Sequence, residues 1–492
     1  MSLLAHLRTA EYGAREALWW SGGVLSHSKL LGAAAALTDA LTARGVRPGD
    51  RVIVACEPGP AAIVALLAVP AMGAISVPVA VPCGEARWEA IASATTPKVC
   101  LASAPDVLPP TLRASHLGLD LASLTAGSQL KQPEENAAPA AIRFTSGSTG
   151  VPKGVVLSHE AMLASARMLA GVFSMDRDHR DLLLVSVASS GGWQRVAATL
   201  FAGGCVCIAE VPVTLAGLLE DFAASSANAF FSPPPLIRML LQEDPDRLAK
   251  ALAGCRSIEI GSAPIGAEEV GLLLQRLPGA RVFVHYGLTE CSRATMLEAN
   301  RHPDRLATCG QATPGTQVSV RDPGGRALPA GGQGQIAVRG AQMANGYWQA
   351  DGFADAGLDD GWLATGDHGS LDKTGFLTVA GREDDMINCA GHSFFPEEAE
   401  RELGPVDGVQ QYLVAGLPDP RGVLHQVPWV FAVPVDAATW TPADLLRAAR
   451  TRLPPHMRPR QVVAVPSIPL THSGKPDRRG TVEQFKNKGQ QQ

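Results

Sequence analysis

One stretch of this 492-residue chain carries a dense set of groups for holding an anion, FTSGSTGVPKGVVLSH at residues 144–159. A strand is expected to end at Phe144. Beyond it Thr145, Ser146, Ser148 and Thr149 offer hydroxyls, Gly147 and Gly150 allow close backbone approach, and Lys153 adds an ammonium. Backbone N–H groups, hydroxyls and one cation in a short loop suit a polyphosphate. The loop is not a Walker loop: Pro152 stands where that pattern, counted from Gly147, needs glycine, and Lys153 is followed by Gly154. Nor is it a G-x-G-x-x-G turn. Other candidate groups are scattered: Tyr286, Thr289 and Glu290 in YGLTE, Asp367 in TGD, and Lys475 in SGKPDRR. Each alone has an ordinary reading. Glu290 could be a solvated helix-start acid, Asp367 a turn residue, Tyr286 core, and Lys475 a solvated lysine.

Taken together and in order, these segments resemble the acyl-adenylate-forming superfamily of acyl- and aryl-CoA synthetases, carrier-loading adenylation domains and luciferases. The segments are the 144–159 loop, YGLTE (286–290), GYW (346–348), TGD (365–367), GREDDMINCAGHSFFPEEAE (381–400) and PLTHSGKPDRR (469–479), so the resemblance spans nearly the whole chain. It implies that Thr145–Gly154, with Lys153, clamps the ATP β- and γ-phosphates. Thr289 and Glu290 would contact the α-phosphate and Mg²⁺, for which a carboxylate is a suitable hard ligand. Tyr286, with Gly287 after it, would stack on adenine, and the loop Gly261, Ala263, Pro264 would run along its other face. Asp367 would take both ribose hydroxyls, with Arg382 nearby. Lys475 would be the mobile lysine that bridges the acid's carboxylate and the α-phosphate, where two anions must meet. Asp384 would be the hinge about which a small domain turns, and the region around Gly391 would line a thiol tunnel. Domains are accordingly expected at 1–381 for ATP and acid binding and 382–492 for the lid with the lysine.

The elements that must position these groups follow from the pattern of apolar residues. Leu30, Ala34, Leu37 and Leu41 share a helical face that Gly45 ends, and a Pro-Gly-Asp turn then feeds the strand RVIVAC. Buried strands are expected at 141–144, 182–187, 205–209, 229–231, 257–260 and 281–284, and helices at 160–171, 214–224 and 264–277. That alternation implies doubly wound α/β subdomains. Shorter strands with Gly-rich turns after about 310 suggest a β-rich subdomain. Strands near 411–415, 428–433 and 461–465 with a helix near 442–452 suggest a small α+β domain. A polar linker is expected at 126–139. The charge-free run AAIVALLAVPAMGAISVPVAVP is long enough to tempt a membrane-span assignment, yet Pro70 and Pro78 interrupt it. A buried helix over about 60–72 and a core strand near Ile75–Val79 fit better.

Composition narrows the function classes. Lys+Arg 42 against Asp+Glu 47 leaves a net charge of −5, which lacks the basic footprint of a general nucleic-acid binder. The hydrophobic share of 46% excludes a disordered chain. The nine cysteines form no Cys-x-x-Cys pair, and free buried thiols in a reducing cytoplasm are the expectation. The first residues show no basic segment followed by an apolar core, so an export signal is not expected from them.

The substrate is read from VASSGGWQRV (187–196), where the amino-acid-activating members of the family place an aspartate for the substrate ammonium. No acidic residue stands there, so an aryl or short-to-medium acyl acid is expected rather than an α-amino acid. The expected pocket includes Ser189, Gly191, Gly192, Trp193, Pro233, Gly261 and Tyr286. Gln335 and Asn388 replace the usual Glu and Lys, at positions with no assigned chemistry. The resemblance thus implies an ATP- and Mg²⁺-dependent acid–thiol ligase that forms an acyl-adenylate and passes the acyl group to coenzyme A. The alternatives are an enzyme loading the phosphopantetheine of a carrier protein and, more remotely, a nucleotide-binding protein without catalysis.

Overall fold

A computed structural model describes residues 3, 6, 7, 12–124, 138–145, 153–349, 352–355, 360–389, 392–419, 426–471 and 476–489. Two compact units emerge: Met1–Val318 with Val338–Leu363, and Ser319–Ala337 with Ala364–Gln492.

The first unit is built on two sheets. One runs in the order β15 (Gln311–Ala312), β14 (Thr295–Glu298), β13 (Arg281–Tyr286), β12 (Ser257–Ile260), β11 (Ala229–Ser232), β9 (Arg180–Leu183), β10 (Cys205–Ile208), β1 (Glu16–Trp20), β2 (Gly23–Ser26). The other runs β19 (Gly352–Asp355), β18 (Gly346–Gln349), β8 (Lys153–Ser158), β7 (Pro139–Thr145), β4 (Ile75–Ala80), β3 (Arg51–Cys56), β5 (Val99–Ala102), β6 (His116–Gly118). Their central strands are parallel, with antiparallel strands toward the edges. Such strands are covered on both faces and read as continuous apolar runs. The α/β architecture expected from strand–helix alternation is therefore the one present.

Helices fill the space between the sheets. Leu30, Leu37, Val52, Ile63, Leu66, Val196, Leu200 and Val206 share one core. The helix Pro60–Ala71 starts with proline in its first turn and is buried from Ala62 onward. Ile75–Ala80 follows as a buried strand, so the charge-free run divides as expected. No helix among the described residues is long and apolar enough to cross a membrane. All nine cysteines are free, seven of them buried.

One expected strand is shorter than its apolar run. The run 182–187 suggested a strand through Val187, but β9 ends at Leu183, where its partner β10 ends at Ile208. Beyond that pairing the chain turns to enter the helix Ser190–Phe201. The linker expected at 126–139 lies largely outside the described residues, and β7 already begins at Pro139.

The second unit carries most of a four-stranded sheet, β16 (Thr316–Arg321), β17 (Gly334–Gly340), β20 (Leu363–Leu371) and β21 (Leu377–Arg382). A hairpin follows, β22 (Ile387–Cys389) with β23 (His392–Phe394), and then a three-stranded sheet of β24 (Val409–Pro418), β25 (Gln426–Pro434) and β26 (Gln461–Ala464). The helices Pro396–Leu403 and Pro442–Arg452 contribute Ala399, Leu403, Leu445 and Ala449 to its core beside Val430 and Phe431.

Candidate active site

In the first unit the C-terminal ends of β11, β12 and β13 lie side by side, in register from Phe231 through Glu259 to Phe283. Open α/β sheets bind ligands beyond such ends. Pro233 and the segment Gly261–Ala263–Pro264 follow β11 and β12, and Tyr286 ends β13 with Gly287 after it. The structure thus gathers most of the residues expected around adenine and acid. Glycine is needed at two of them. A Cβ on Gly261 would lie 2.1 Å from the His285 ring, and one on Gly287 would lie 2.5 Å from the Arg293 backbone nitrogen. The intervening Ser262 has φ +72°, an uncommon conformation for a residue with a side chain.

Glu290 sits in the bend after β13. Its carboxylate accepts a hydrogen bond from the Tyr347 hydroxyl at 3.0 Å, and its carbonyl accepts from the Ala344 N–H at 2.7 Å. Burial, then the Glu290 charge, pushes the Tyr347 phenol well above its ordinary range, so it remains a donor. Tyr347 lies on β18, opposite Val155 of β8, and the Lys153 ammonium is 5.9 Å from its ring. Thr145 and Lys153 face each other across β7 and β8 as the two feet of the Ser/Thr/Gly-rich loop. The loop residues Ser146, Gly147, Ser148, Thr149 and Gly150 lie outside the described residues. One carboxylate, one cation and a loop of N–H and hydroxyl donors fit a Mg²⁺–nucleotide, because Mg²⁺ is commonly held by one or two carboxylates together with substrate phosphates. Tyr347 carried no role in the sequence reading; its position inside GYW was the available signal.

The 187–192 segment lies beside the end of β11, through Gly191 on Phe231. Ser189 caps its helix, accepting from the Gly192 N–H at 3.0 Å and donating to the Ser186 carbonyl at 2.7 Å. Gly191 lies against the Phe231 ring, which a Cβ would meet at 2.8 Å, and Phe231 in turn lies 5.5 Å from the His285 ring. Gly192 packs on the Ser186 carbonyl. Trp193 is buried, facing Leu157, Met162 and Ser165 in the interior between two helices.

Behind this segment lies a buried charge network invisible in local sequence. Arg195 holds Asp181 through two bonds of 2.8 and 2.7 Å, and Arg293 holds Glu259 through two of 2.8 and 3.1 Å. Arg195 also lies 3.6 Å from Glu259, and the His285 Nδ1 lies 2.7 Å from it. Gln194 accepts from Arg293 at 2.5 Å and from the Ser292 hydroxyl. Burial alone would raise the Glu259 carboxyl, but Arg293, His285 and Arg195 hold it well below the usual carboxylate range.

In the second unit Asp367 and Arg382 pair across β20 and β21, the guanidinium 3.3 Å from the carboxylate. The Asp367 N–H donates to the Thr365 hydroxyl, which donates to the Ile336 carbonyl. Asp384 is exposed on the short turn Glu383–Asp385, and Gln335 donates to Glu383 at 3.2 Å. Gly391 and Lys475 lie outside the described residues. Just past Lys475, Arg478 holds Glu397 and Glu400, each at 2.7 Å, and donates to the Val414 carbonyl.

Comparison with known proteins identifies the class of enzyme. The chain matches the AMP-binding enzyme family over residues 6–348 and the AMP-binding enzyme C-terminal domain over 398–475. It belongs to that family, and so to the acyl-adenylate-forming superfamily. It is 28% identical over 471 residues to a feruloyl-CoA synthase of an Amycolatopsis species, covering 92% of each chain. It is 30% identical to a section of a probable non-canonical nonribosomal peptide synthetase of Salinispora arenicola, covering 89% of this chain and 6% of that protein. Among solved structures, ATP-bound MatB of Rhodopseudomonas palustris aligns with TM-score 0.89 and 25% identity over 99% of both chains. The chain is thus an AMP-forming acid–thiol ligase that activates a carboxylic acid with ATP.

Proposed function

We propose that this enzyme adenylates an aryl or short-to-medium acyl acid lacking an α-ammonium and transfers the acyl group to coenzyme A. The carrying observation is the Glu290–Tyr347–Lys153 constellation at the feet of the 146–152 loop, beside the ends of β11–β13. Lys153 and the loop hold the β- and γ-phosphates, and Thr289 the α-phosphate. Glu290, oriented by the Tyr347 hydroxyl, is the protein ligand for Mg²⁺, which neutralises phosphate charge when bound. Tyr286 stacks on adenine and Asp367 takes the ribose hydroxyls.

The acid's carboxylate oxygen attacks the α-phosphorus as the bond to pyrophosphate breaks, and Lys475 offsets the charge that develops. A thiolate then attacks the acyl carbon and expels AMP. Both steps use one site, with the domain from 382 turning about Asp384 so that Lys475 leaves and the Gly391 region approaches the thiol. The exclusion of amino acids finds support in the network behind the pocket. Asp181 and Glu259 are each held by arginine, leaving neither as a partner for an ammonium. The buried free thiols suit a reducing, cytoplasmic setting.

A carrier-protein phosphopantetheine is the second acceptor to test, favoured by the likeness to a section of a peptide synthetase. Pyrophosphate exchange across a panel of acids, followed by transfer to coenzyme A or to a loaded carrier protein, tests the reading. Exchange with aryl or acyl acids and transfer to coenzyme A is the expected result; exchange with proteinogenic amino acids would overturn it. Lys475→Ala should slow adenylation about 10²-fold or more while sparing thioester formation from supplied acyl-adenylate.

A further inference from the structure

Arg143 is out of character for its place. It lies in the middle of β7, a strand paired on both sides, and is only 3% exposed. Burial lowers its guanidinium to about 10, so it stays a cation at neutral pH. Among the described residues, the ionisable neighbour that acts on it is the buried Cys56 thiol, itself pushed up to about 12 by burial and therefore neutral. A buried cation with no carboxylate beside it among the described residues is costly, and the buried Arg143 Nε has no hydrogen-bond partner among them, so its stabilisation falls to Nη1. Here Nη1 donates to three successive carbonyls, Val187 at 3.2 Å, Ala188 at 2.8 Å and Ser189 at 3.2 Å, while the guanidinium lies 5.8 Å from the Trp193 ring.

Those carbonyls belong to the turn that replaced the expected end of β9. The turn is held to itself and to the helix that follows by short-range bonds: besides the Ser189 hydroxyl bonds above, the Ser189 carbonyl accepts from Trp193 N–H at 3.1 Å. Ser189 N–H bonds to the Ser186 carbonyl at 3.0 Å, and Ala188 N–H to the Ser186 hydroxyl at 3.2 Å. It leads into Ser189 and Gly191, the latter seated against Phe231 and expected to line the acid pocket. Arg143, by contrast, is held in the β7–β8 ladder opposite Val155. Two residues further along the same face of β7 comes Thr145, the foot of the phosphate loop.

Resting on the ligase reading above, we infer that Arg143 is a positioning residue that fastens the 187–189 turn to the phosphate-loop strand and thereby sets the acid-binding wall. It acts through the backbone carbonyls of Val187, Ala188 and Ser189. Its loss frees the turn, while β7 and Thr145 stay in their ladder. The acid should therefore feel the change and ATP should not.

The test is steady-state pyrophosphate exchange by Arg143→Met and Arg143→Lys, with KM measured separately for acid and for MgATP. For Arg143→Met the KM for acid should rise about tenfold or more, as small displacements remote from the chemistry can cost this much. The KM for MgATP should stay within about threefold, and the order of preference among acids should change. Arg143→Lys, which keeps the cation but reaches fewer carbonyls, should fall between the two. Equal changes in both KM values, or none in either, would overturn the proposal. If Arg143→Met does not fold, Arg143→Lys decides by the same ratio. Absence of exchange by the unaltered enzyme with every acid would instead overturn the ligase reading, leaving the two failures distinguishable.

Discussion

In the first unit two arginines, Arg195 and Arg293, meet two carboxylates, Asp181 and Glu259, with His285 as a further partner. In the second unit Arg478 faces Glu397 and Glu400 directly and also acts on Asp385. The first cluster is almost sealed, its arginine and carboxylate side chains 0–3% exposed, and the second is partly open at 19–25% for the paired groups. Burial pushes every carboxyl upward, so the count of cations decides the outcome. Glu259 ends well below the usual range because its three partners outweigh burial. Glu400 ends at about 7 because burial and the Glu397 charge outweigh Arg478 and the Val414 N–H. Asp385 is also raised, first by burial. Depth of burial alone would have predicted the opposite ranking.

The two clusters should consequently respond to pH with opposite signs. A lowered carboxyl binds fewer protons folded than unfolded, so the Glu259 contribution is complete above its unfolded value near 4.5 and is lost in stronger acid. A raised carboxyl binds more protons when folded, so the Glu400 contribution is complete below about 4.5 and is lost as pH rises through about 7.

The largest effect should come from breaking the sealed cluster. Glu259→Gln keeps the volume but leaves Arg195 with Asp181, and Arg293 with only the neutral Gln194 and Gly191 oxygens beside the new amide. Removing one partner of a buried pair costs about 3–5 kcal/mol, and equilibrium denaturation should find a loss of that size. A loss under about 1 kcal/mol would mean that the network is not balanced as its geometry implies. A smaller loss should follow Arg478→Met, which takes the cation from Glu397 and Glu400 beside Asp385 and leaves Glu400 the Val414 N–H. Solvent reaches this cluster, so about 1–3 kcal/mol is expected, read calorimetrically from the transition of the second unit.

How much of this could be read in the sequence depended on the range of the interaction. The helix Pro60–Ala71 and strand Ile75–Ala80 were legible because proline, glycine and apolar runs act locally. The signature segments were legible because each lies on one continuous loop or strand end. The charge networks were not, since Asp181 lies 14 residues from Arg195 and Glu259 lies 34 from Arg293, on different elements with no shared period. The end of β9 failed for a related reason. Val185 and Val187 extend the apolar run, but the partner strand stops at Ile208 and distant Arg143 collects the carbonyls beyond. Tyr347 was in plain view within GYW, and only its bond to Glu290 shows what it does.

The smallest effect is also the sharpest test of the contrast, because its sign reverses. Glu400→Gln removes a group whose ionisation the second unit opposes. Arg478 loses one charged partner, yet Glu397 remains at 2.7 Å and the glutamine oxygen can still accept from Val414 N–H and Arg478. Near pH 8, where Glu400 is ionised in the parent, the two changes nearly cancel and the variant should lie within about 1 kcal/mol of it. Near pH 5 the parent carries a neutral carboxyl there, so the parent should hold a relative advantage over what it has at pH 8. The stability difference, parent minus variant, should therefore decline as pH rises from 5 to 8, whereas any titration of Glu259 would appear only below that window. Denaturation of parent and variant at a series of pH values measures it. A difference that grows with pH would show that Arg478 outweighs burial after all, and that the two clusters are governed alike.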